Sequence, residues 1–423
     1  MTSAAHLIKG WCPGALRPMR SGDGLLVRIR PRAGAFSLSA LSTIAEVAAG
    51  FGSGEIDLTN RGNLQIRGIS ETTFESALAL LSTAGLLDNS IDAEAVRNII
   101  VDPLSGLDPA RTDVRDLARQ LDTIISRDQR LWLLPGKFGF SLSGVADPRV
   151  GGRSADIMLS AIGDRCAIRL DGAGDTACEI SRGDAVAAMR DLALVFIELI
   201  QSDASFRRMR DAVAKLGAAT VFAMAGLKGV ISAALYSREK AQTIGVLVDG
   251  DRVFAAGIGL PFGRILASQL DVLRASAVMS RSGDVRTGVN RALVFPVADA
   301  NRAHALLLAA DGTGLITRPD NARLAMDVCP GSPACRNATS DTRRDAQRLA
   351  DELASSIAGY SLHISGCEKG CARRSDANIT LVGRGGLYDI VRDGCASSAP
   401  AVSNVKPEDI GAAITRLIKE PTA

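Results

Sequence analysis

Aromatic residues make up only 4% of the chain, and there are just three histidines, His6, His304 and His363. So few aromatics leave the core to be built from Ala, Leu, Ile and Val. A two-His-one-carboxylate iron site would have to take both imidazoles from those three positions, which gives it little to rest on. No surplus of one charge exists either: 49 basic and 46 acidic residues leave a net +3, too even for general attraction to nucleic acid or a membrane surface. No stretch reaches the roughly 18 uninterrupted apolar residues of a membrane span. The nearest approach, "AVAKLGAATVFAMAGLKGVISAALY", is interrupted by Lys215 and Lys228. The opening "MTSAAHLIKGWCPG" lacks a sustained apolar h-region. Neither a nucleic-acid nor a membrane partner is expected, and a cytoplasmic, reducing compartment is. There, eight cysteines are not a disulfide framework. A dinucleotide fingerprint is also missing, since "GIGLPFG" has the wrong glycine spacing and reads as a turn.

What is present is a globular composition, with 47% hydrophobic residues over 423 positions, enough for several domains. Arginine outnumbers lysine. Its planar fork holds carboxylates and phosphates through two parallel hydrogen bonds, although high genomic GC content would give the same bias. From "LLVRIRPRAGAF" through "LTNRGNLQIRGI" the chain reads strand, turn, helix, turn, strand. Leu41, Ile44, Val47 and Ala48 recur at helical spacing, and Leu64 and Ile66 alternate with polar neighbours. The piece "LQIRGISETTFESALALLSTAGLL", from Leu64, then matches "LVFPVADANRAHALLLAADGTGLI", from Leu293, without a gap. The chain reads as duplicated, with two related ferredoxin-like half-domains. Between the copies come a helix near 110–126, a strand over "RLWLLPGKFGFSLSG", a strand "AIRLDG" and a long helix from about Arg182. After the second copy come helix "DTRRDAQRLADELAS" and strands "LHISG" and "NITLVG".

That last region carries "CPGSPAC" and "CEKGC", which place Cys329, Cys335, Cys367 and Cys371 in two loops. Four thiolates so arranged can ligate a tetrahedral zinc or a cubane iron–sulfur cluster, and unligated thiols are the third reading. The wide Pro/Gly-rich first loop suits a bulky cluster better than a zinc knuckle. Gly331, Ser332, Ala334, Gly366 and Gly370 let backbone N–H groups approach the sulfurs, and a helix opening after Cys335 would point its N-terminus at an anionic centre. Cys12, Cys166, Cys178 and Cys395 lack close pairing and read as core or incidental thiols.

The paired cysteine loops, "LTNRGNLQIRG", the Gly-Cys-x3-Cys loop followed by "ITLVG" and the duplicated half-domains resemble the nitrite/sulfite reductase superfamily over nearly the whole chain. Within it, "WCPGALRPMRSGDGLLVRIRP" and "HISGCEKGCA" are most similar to the precorrin-3B synthases of aerobic cobalamin biosynthesis. The resemblance implies an α+β, nitrite/sulfite reductase-like fold with a pseudo-twofold duplication. Ferredoxin-like half-domains are expected over 1–88 and 239–318, and α/β cluster-type domains over 89–238 and 319–423, the last holding a [4Fe–4S] cluster on Cys329, Cys335, Cys367 and Cys371. It also implies an iron–sulfur monooxygenase that converts precorrin-3A and O2 to precorrin-3B, with lactone formation from a ring acetate. Electrons would come from NAD(P)H through a separate reductase or from a ferredoxin. A second iron centre or sirohaem is a further cofactor the resemblance allows.

Residue by residue, the family's active-site strand Arg matches Arg28, with Arg30 beside it. Its T-x-R motif matches Thr59 and Arg61, followed by Asn63 and Gln65; these six would bind the carboxylates of the substrate. Another family Arg matches Arg97 in "VRNII", and Lys137 in "PGKFGF" keeps the first of two strand lysines; Arg97 and Lys137 are the catalytic expectations. Gly139 stands where the reductases place the second lysine, and Asp57 where they often have an arginine. Six-electron reduction of nitrite or sulfite needs strong anion binding and repeated protonation, so both departures weigh against the alternative of a sirohaem-dependent assimilatory reductase. A non-catalytic tetrapyrrole carrier or structural zinc protein is the reading from another class.

Overall fold

The computed structural model describes residues 12–232, 242–278, 283–288, 290–353, 357 and 359–419. His6, the end of the most apolar stretch beyond 232, and the end of the expected helix beyond 353 lie outside them. The chain divides into two compact units. One contains Arg20–Leu25 with the chain from Arg318 onward, and the other Gly10–Met19 with Leu26–Thr317.

In the larger unit, strand Leu25–Ile29 pairs with Leu64–Ile69, that with Glu55–Leu58, and that with Arg264–Leu266. A second sheet runs Gly245–Asp249, Arg252–Gly259, Ala292–Pro296, Asp284–Gly288, Ala35–Ser37. Each half-domain therefore gives one strand to the other's sheet. The exchange is reciprocal: Arg264 lies opposite Asp57 and Arg286 opposite Ala35. These positions correspond under the same constant offset that relates Leu64 to Leu293. The left-handed backbone positions obey it too, with Ala33 and Gly34 matching Phe262 and Gly263, Gly54 matching Gly283, and Gly85 matching Gly314. The duplication read from the sequence is thus a duplication of backbone geometry.

Helix Leu38–Phe51 begins where Ser37 Oγ accepts the Ala40 N–H at 3.0 Å, a cap that contributes about 1 kcal/mol. It buries Leu41, Ile44, Val47 and Ala48, the face expected from their spacing, and full burial of each larger side chain stabilises by roughly 1.5–3 kcal/mol. It packs against its counterpart in the second copy, Ala267–Ala277. The exchanged strand Arg264–Leu266 is also joined to its host sheet by charge. Arg264 Nε donates to Asp57 Oδ1 at 2.8 Å, and Arg67 Nη1 to Asp57 Oδ2 at 3.1 Å. Asp57, at the reductases' arginine position, is part of the frame.

A third sheet in this unit has the order Val230–Ser232, Thr176–Ser181, Arg165–Leu170, Ile157–Ile162, Phe140–Ser143, Ile99–Val101. Helices Arg115–Arg127 and Ala185–Ser202 contribute to its core, where Phe138, Phe140 and Phe196 gather. The strand expected over "RLWLLPGKFGFSLSG" is confined to Phe140–Ser143. Gln129–Leu133 is a 3-10 turn instead, because Asp128 caps the Arg130 N–H, Trp132 Nε1 bonds Ile125 O at 2.9 Å, and Pro135 has no N–H to give to a ladder.

The smaller unit is a sheet of Met326–Val328, Leu362–Ser365, Ala377–Arg384, Leu387–Gly394 and Val402–Val405. Its first two pairings are parallel and its last two antiparallel. Helices Thr342–Leu353 and Ile410–Lys419 pack together and bury Leu349, Leu353, Ile410 and Ile414. The helix expected to open after Cys335 begins only at Thr342. Residues between them are held in turns, Ala338 N to Cys335 O at 3.0 Å and Thr342 N to Ser340 O at 3.1 Å, so a helix N-terminus does not directly follow that cysteine. Among the described residues no helix is long and apolar enough to cross a membrane.

Candidate active site

In the smaller unit, Cys329 follows strand Met326–Val328 and Cys367 follows Leu362–Ser365, so parallel neighbours deliver both thiols from the same sheet end. Cys335 is set by a tight turn, its N–H bonding Gly331 O at 2.7 Å. The Gly366 N–H donates to Cys329 Sγ at 3.2 Å. A Cβ on Gly366 would lie 2.6 Å from Ala338 Cβ, so this approach of backbone to sulfur requires glycine. Ser21 Oγ and Gly22 N both bond Ala334 O, at 2.7 and 3.1 Å, bracing the first loop with a segment more than three hundred residues away in sequence.

Cys367 and Cys371 each lie within the electrostatic reach of Cys329 and Cys335. Burial pushes the Cys367 and Cys371 pKa values up, and the charges of Cys329 and Cys335 push them further, while Lys369 pulls them down. Such mutual repulsion is relieved by a cation among them, and thiolates with backbone N–H donors are the donor set an iron–sulfur cluster takes. The residues fit a [4Fe–4S] group. His363 lies in the strand before this loop, fully buried, and neither ring nitrogen has a hydrogen-bond partner among the described residues. Burial, then Arg373, pushes its pKa down to about 4, so the ring is neutral. Among the described residues, no three His, Cys, Asp or Glu side chains gather into a site for a single metal ion.

The larger unit carries the arginines. Arg28 donates through Nε and Nη2 to Gln65 Oε1 at 2.8 and 2.5 Å, which occupies that Gln65 oxygen with holding the guanidinium. Thr59 Oγ1 accepts the N–H groups of Arg61 and Asn63 at 3.3 and 3.1 Å, so Thr59 and the buried Asn63 shape the turn that presents Arg61. Arg61 Nη2 donates to Lys137 O at 2.7 Å, and the Lys137 side chain is exposed. A Cβ on Gly139 would begin 4.0 Å from Arg61 Cζ, so the missing second lysine leaves room beside that guanidinium.

Arg30 and Arg97 are both buried and differ sharply. Arg97 gives all five of its N–H donors to protein acceptors: Asp88 at 2.7 and 3.0 Å, Asp122 at 3.2 Å, Pro31 O at 3.1 Å and Arg30 O at 3.3 Å. Burial alone would lower its pKa, but Asp88 and Asp122 raise it overall. Arg30 has no hydrogen-bond partner for any of its three guanidinium nitrogens among the described residues. Its nearest anion is Glu94, at 3.8 Å. Burial lowers the Arg30 pKa and outweighs Glu94; burial also lowers that of Arg61 and, with Arg30, pushes Arg28 down to about 10. Desolvated guanidiniums of this kind, one without a hydrogen-bond partner among the described residues, are a chemistry that carboxylates can satisfy.

Sequence reasoning missed Glu94, Asp88 and Asp122, which sort the arginines into engaged and open. Glu94 accepts the Ala15 and Leu16 N–H groups at 2.6 and 3.1 Å, and burial raises its pKa. The only sequence signal was Ser90 ahead of an acidic first turn, which marks the short helix Ile91–Val96 carrying Glu94.

Residues 17–84 match the nitrite/sulfite reductase ferredoxin-like half domain. The solved structure of the Mycobacterium tuberculosis NirA protein superimposes with a TM-score of 0.74 at 18% identity, covering 94% of this chain and 81% of that one. Its fold is therefore that of the nitrite/sulfite reductases, mixed sheets and helices built around ferredoxin-like half-domains. A ferredoxin–nitrite reductase of Leptolyngbya laminosa is 24% identical over 90% of this chain and 80% of its own length. A precorrin-3B synthase of a Sinorhizobium species is 30% identical over 98% of this chain and 89% of its own. The chain belongs to the precorrin-3B synthase family of the nitrite/sulfite reductase superfamily.

Proposed function

We propose that this protein is an iron–sulfur monooxygenase converting precorrin-3A to precorrin-3B in aerobic cobalamin biosynthesis. One atom of O2 enters the macrocycle as a hydroxyl, a ring acetate closes a lactone, the other oxygen leaves as water, and an external donor, NAD(P)H through a reductase or a ferredoxin, supplies two electrons. The observation that carries this reading is Arg30, a buried cation with no hydrogen-bond partner among the described residues, grouped with Arg28 and Arg61 in a chain of this family.

Arg28, Arg30 and Arg61 receive the ring carboxylates, with Gln65 fixing Arg28 and the Thr59–Asn63 turn fixing Arg61. Their bidentate geometry orients the macrocycle, and carboxylates in turn neutralise cations that burial has made costly. Arg97 acts as a positioning residue, since its donors hold Asp88, Asp122 and the carbonyls of the Arg30 strand. Lys137, exposed beside the Arg61 contact, is the proton-bearing group available to the reacting oxygen. Cys329, Cys335, Cys367 and Cys371 would hold the [4Fe–4S] cluster, whose chemistry when bound would be one-electron transfer.

The test is an anaerobic preparation analysed for iron, sulfide and absorption, then given precorrin-3A, reductant and 18O2. Broad iron–sulfur absorption without a sirohaem Soret band, and one labelled oxygen in the product, are expected. Tightly bound sirohaem with nitrite or sulfite turnover would replace this reading with the reductase one. Zinc in place of iron would point to a structural zinc protein.

A further inference from the structure

Arg61 rests on a strip of backbone that two buried side chains hold in place. Asn98 donates through Nδ2 to Gly136 O and Phe138 O at 3.2 and 3.1 Å, and its own carbonyl takes the Phe140 N–H at 2.9 Å. Asp156 accepts the Gly139 N–H at 3.0 Å and returns its backbone N–H to Gly139 O at 2.9 Å, while Arg208 grips the same carboxylate at 2.7 and 2.9 Å. Onto this strip Arg61, from a distant turn of the sequence, sets Nη2 at 2.7 Å from Lys137 O. Its other guanidinium N–H groups have no hydrogen-bond partner among the described residues. With one Nη2 hydrogen engaged, a neighbouring pair of N–H donors is still free to take a carboxylate through two parallel bonds.

Gly139 lies under that guanidinium. Its backbone is outside the left-handed region, and a Cβ there would find Asn98 O at 3.4 Å, Asn98 Cβ at 3.8 Å and Arg61 Cζ at 4.0 Å, all ordinary contact distances. Neither conformation nor close packing therefore calls for glycine, which carries an entropic cost that alanine would not. An atom beyond Cβ enters a buried position and has to displace a neighbour. Asn98 is tied to the strip by several hydrogen bonds and the Arg61 guanidinium by one, so Arg61 is the group that gives way. We propose that Gly139 is a positioning and specificity-determining residue of the anion site: by carrying no side chain it keeps the Arg61 guanidinium on Lys137 O, and the guanidinium so fixed clamps one carboxylate of a polycarboxylate ligand. That the ligand is a tetrapyrrole rests on the function proposed above, whereas the hold of Gly139 on Arg61 does not.

The experiment measures binding of two probes to the full-length protein at one fixed ionic strength: uroporphyrin I by fluorescence, and mellitate, a benzene ring carboxylated at every carbon, by calorimetry. Affinity should fall along the series Gly139→Ala, Gly139→Val, Gly139→Leu, reaching a loss of about tenfold at the last, what one charge-assisted hydrogen bond contributes. Arg61→Met should lose as much. Gly139→Leu added to Arg61→Met should then cost nothing further, because the group it displaces is already gone, whereas a purely structural role for Gly139 adds its own loss in both backgrounds. Where Gly139→Leu does not fold, Gly139→Val carries the same comparison. Binding that stays at the wild-type level in folded Gly139→Val and Gly139→Leu overturns the proposal, and so does a full additional loss in the Arg61→Met background. Mellitate behaving as described, with uroporphyrin I left unbound by the wild type, supports the clamp and overturns the tetrapyrrole reading. A wild-type protein that binds neither probe overturns both.

Discussion

Replacing Arg97 by Met tests whether that arginine holds the fold or touches substrate. In the folded chain its five N–H groups are all taken, and Met removes every one, leaving Asp88 and Asp122 as buried carboxylates. Removing one partner of a buried ion pair costs about 3–5 kcal/mol. Arg32 still reaches Asp88 at 2.9 Å, and Asp122 still accepts the Ala33 N–H at 3.1 Å, so the lower end of that range is expected. With a urea slope of about 3 kcal/mol per molar, the unfolding midpoint should fall by about 1 M. Adding Asp88→Asn and Asp122→Asn to the Met variant removes the stranded charges and should recover at least half of the loss. An unchanged midpoint combined with lost turnover would refute the reasoning and return Arg97 to the reacting centre.

Burial raises the Glu94 pKa in spite of the two backbone N–H groups it accepts and the nearby Arg30, so the folded chain binds that proton more tightly than the unfolded one. Its contribution to stability is therefore full below the ordinary glutamate value of about 4.3 and is lost as pH rises through the raised folded value; Glu94→Gln should flatten that part of the curve of unfolding midpoint against pH. Gly366→Ala forces a Cβ to within 2.6 Å of Ala338 and displaces the N–H bonded to Cys329 Sγ, for which an overpacking cost of about 1–3 kcal/mol and a lower iron and sulfide content are expected by denaturation and elemental analysis. Cys371→Ser removes one of the four thiols proposed to hold the cluster and should abolish the iron–sulfur absorption while the far-UV circular dichroism stays close to that of the wild type, because Cys371 lies outside the hydrophobic core. Retained absorption with full iron and sulfide would exclude Cys371 as a ligand.

Sequence patterns revealed the duplication because each copy carries the same helix period, the same strand alternation and the same glycine turn, all local properties. The strand exchange was not legible, since Ala35–Ser37 and Arg264–Leu266 are short and pair with residues two hundred positions away. The cysteines stand out in the sequence as two paired loops, and the parallel neighbours Met326–Val328 and Leu362–Ser365 deliver Cys329 and Cys367 from one end of the sheet. The arginines were not legible in this way: Arg30 and Arg97 look alike as letters, and only the positions of Asp88, Asp122 and Glu94 separate the one whose donors are all engaged from the one with none engaged. The 3-10 turn at Gln129–Leu133 shows the converse, where apolar residues alternate as in a strand but a side-chain cap and a proline decide otherwise.

Because each half-domain is completed by three residues of the other, an isolated half would present an unpaired edge where Glu55–Leu58 or Asp284–Gly288 now finds its neighbour. Exposed edges of that kind invite association with any other extended chain. The two copies therefore share one fate in folding: closure of either sheet waits for the distant segment, which makes the pairing slow to form and cooperative once made. An ancestral single copy with this geometry would have met the same requirement by exchanging strands with a second identical chain, and duplication within one polypeptide replaces that encounter with a tether.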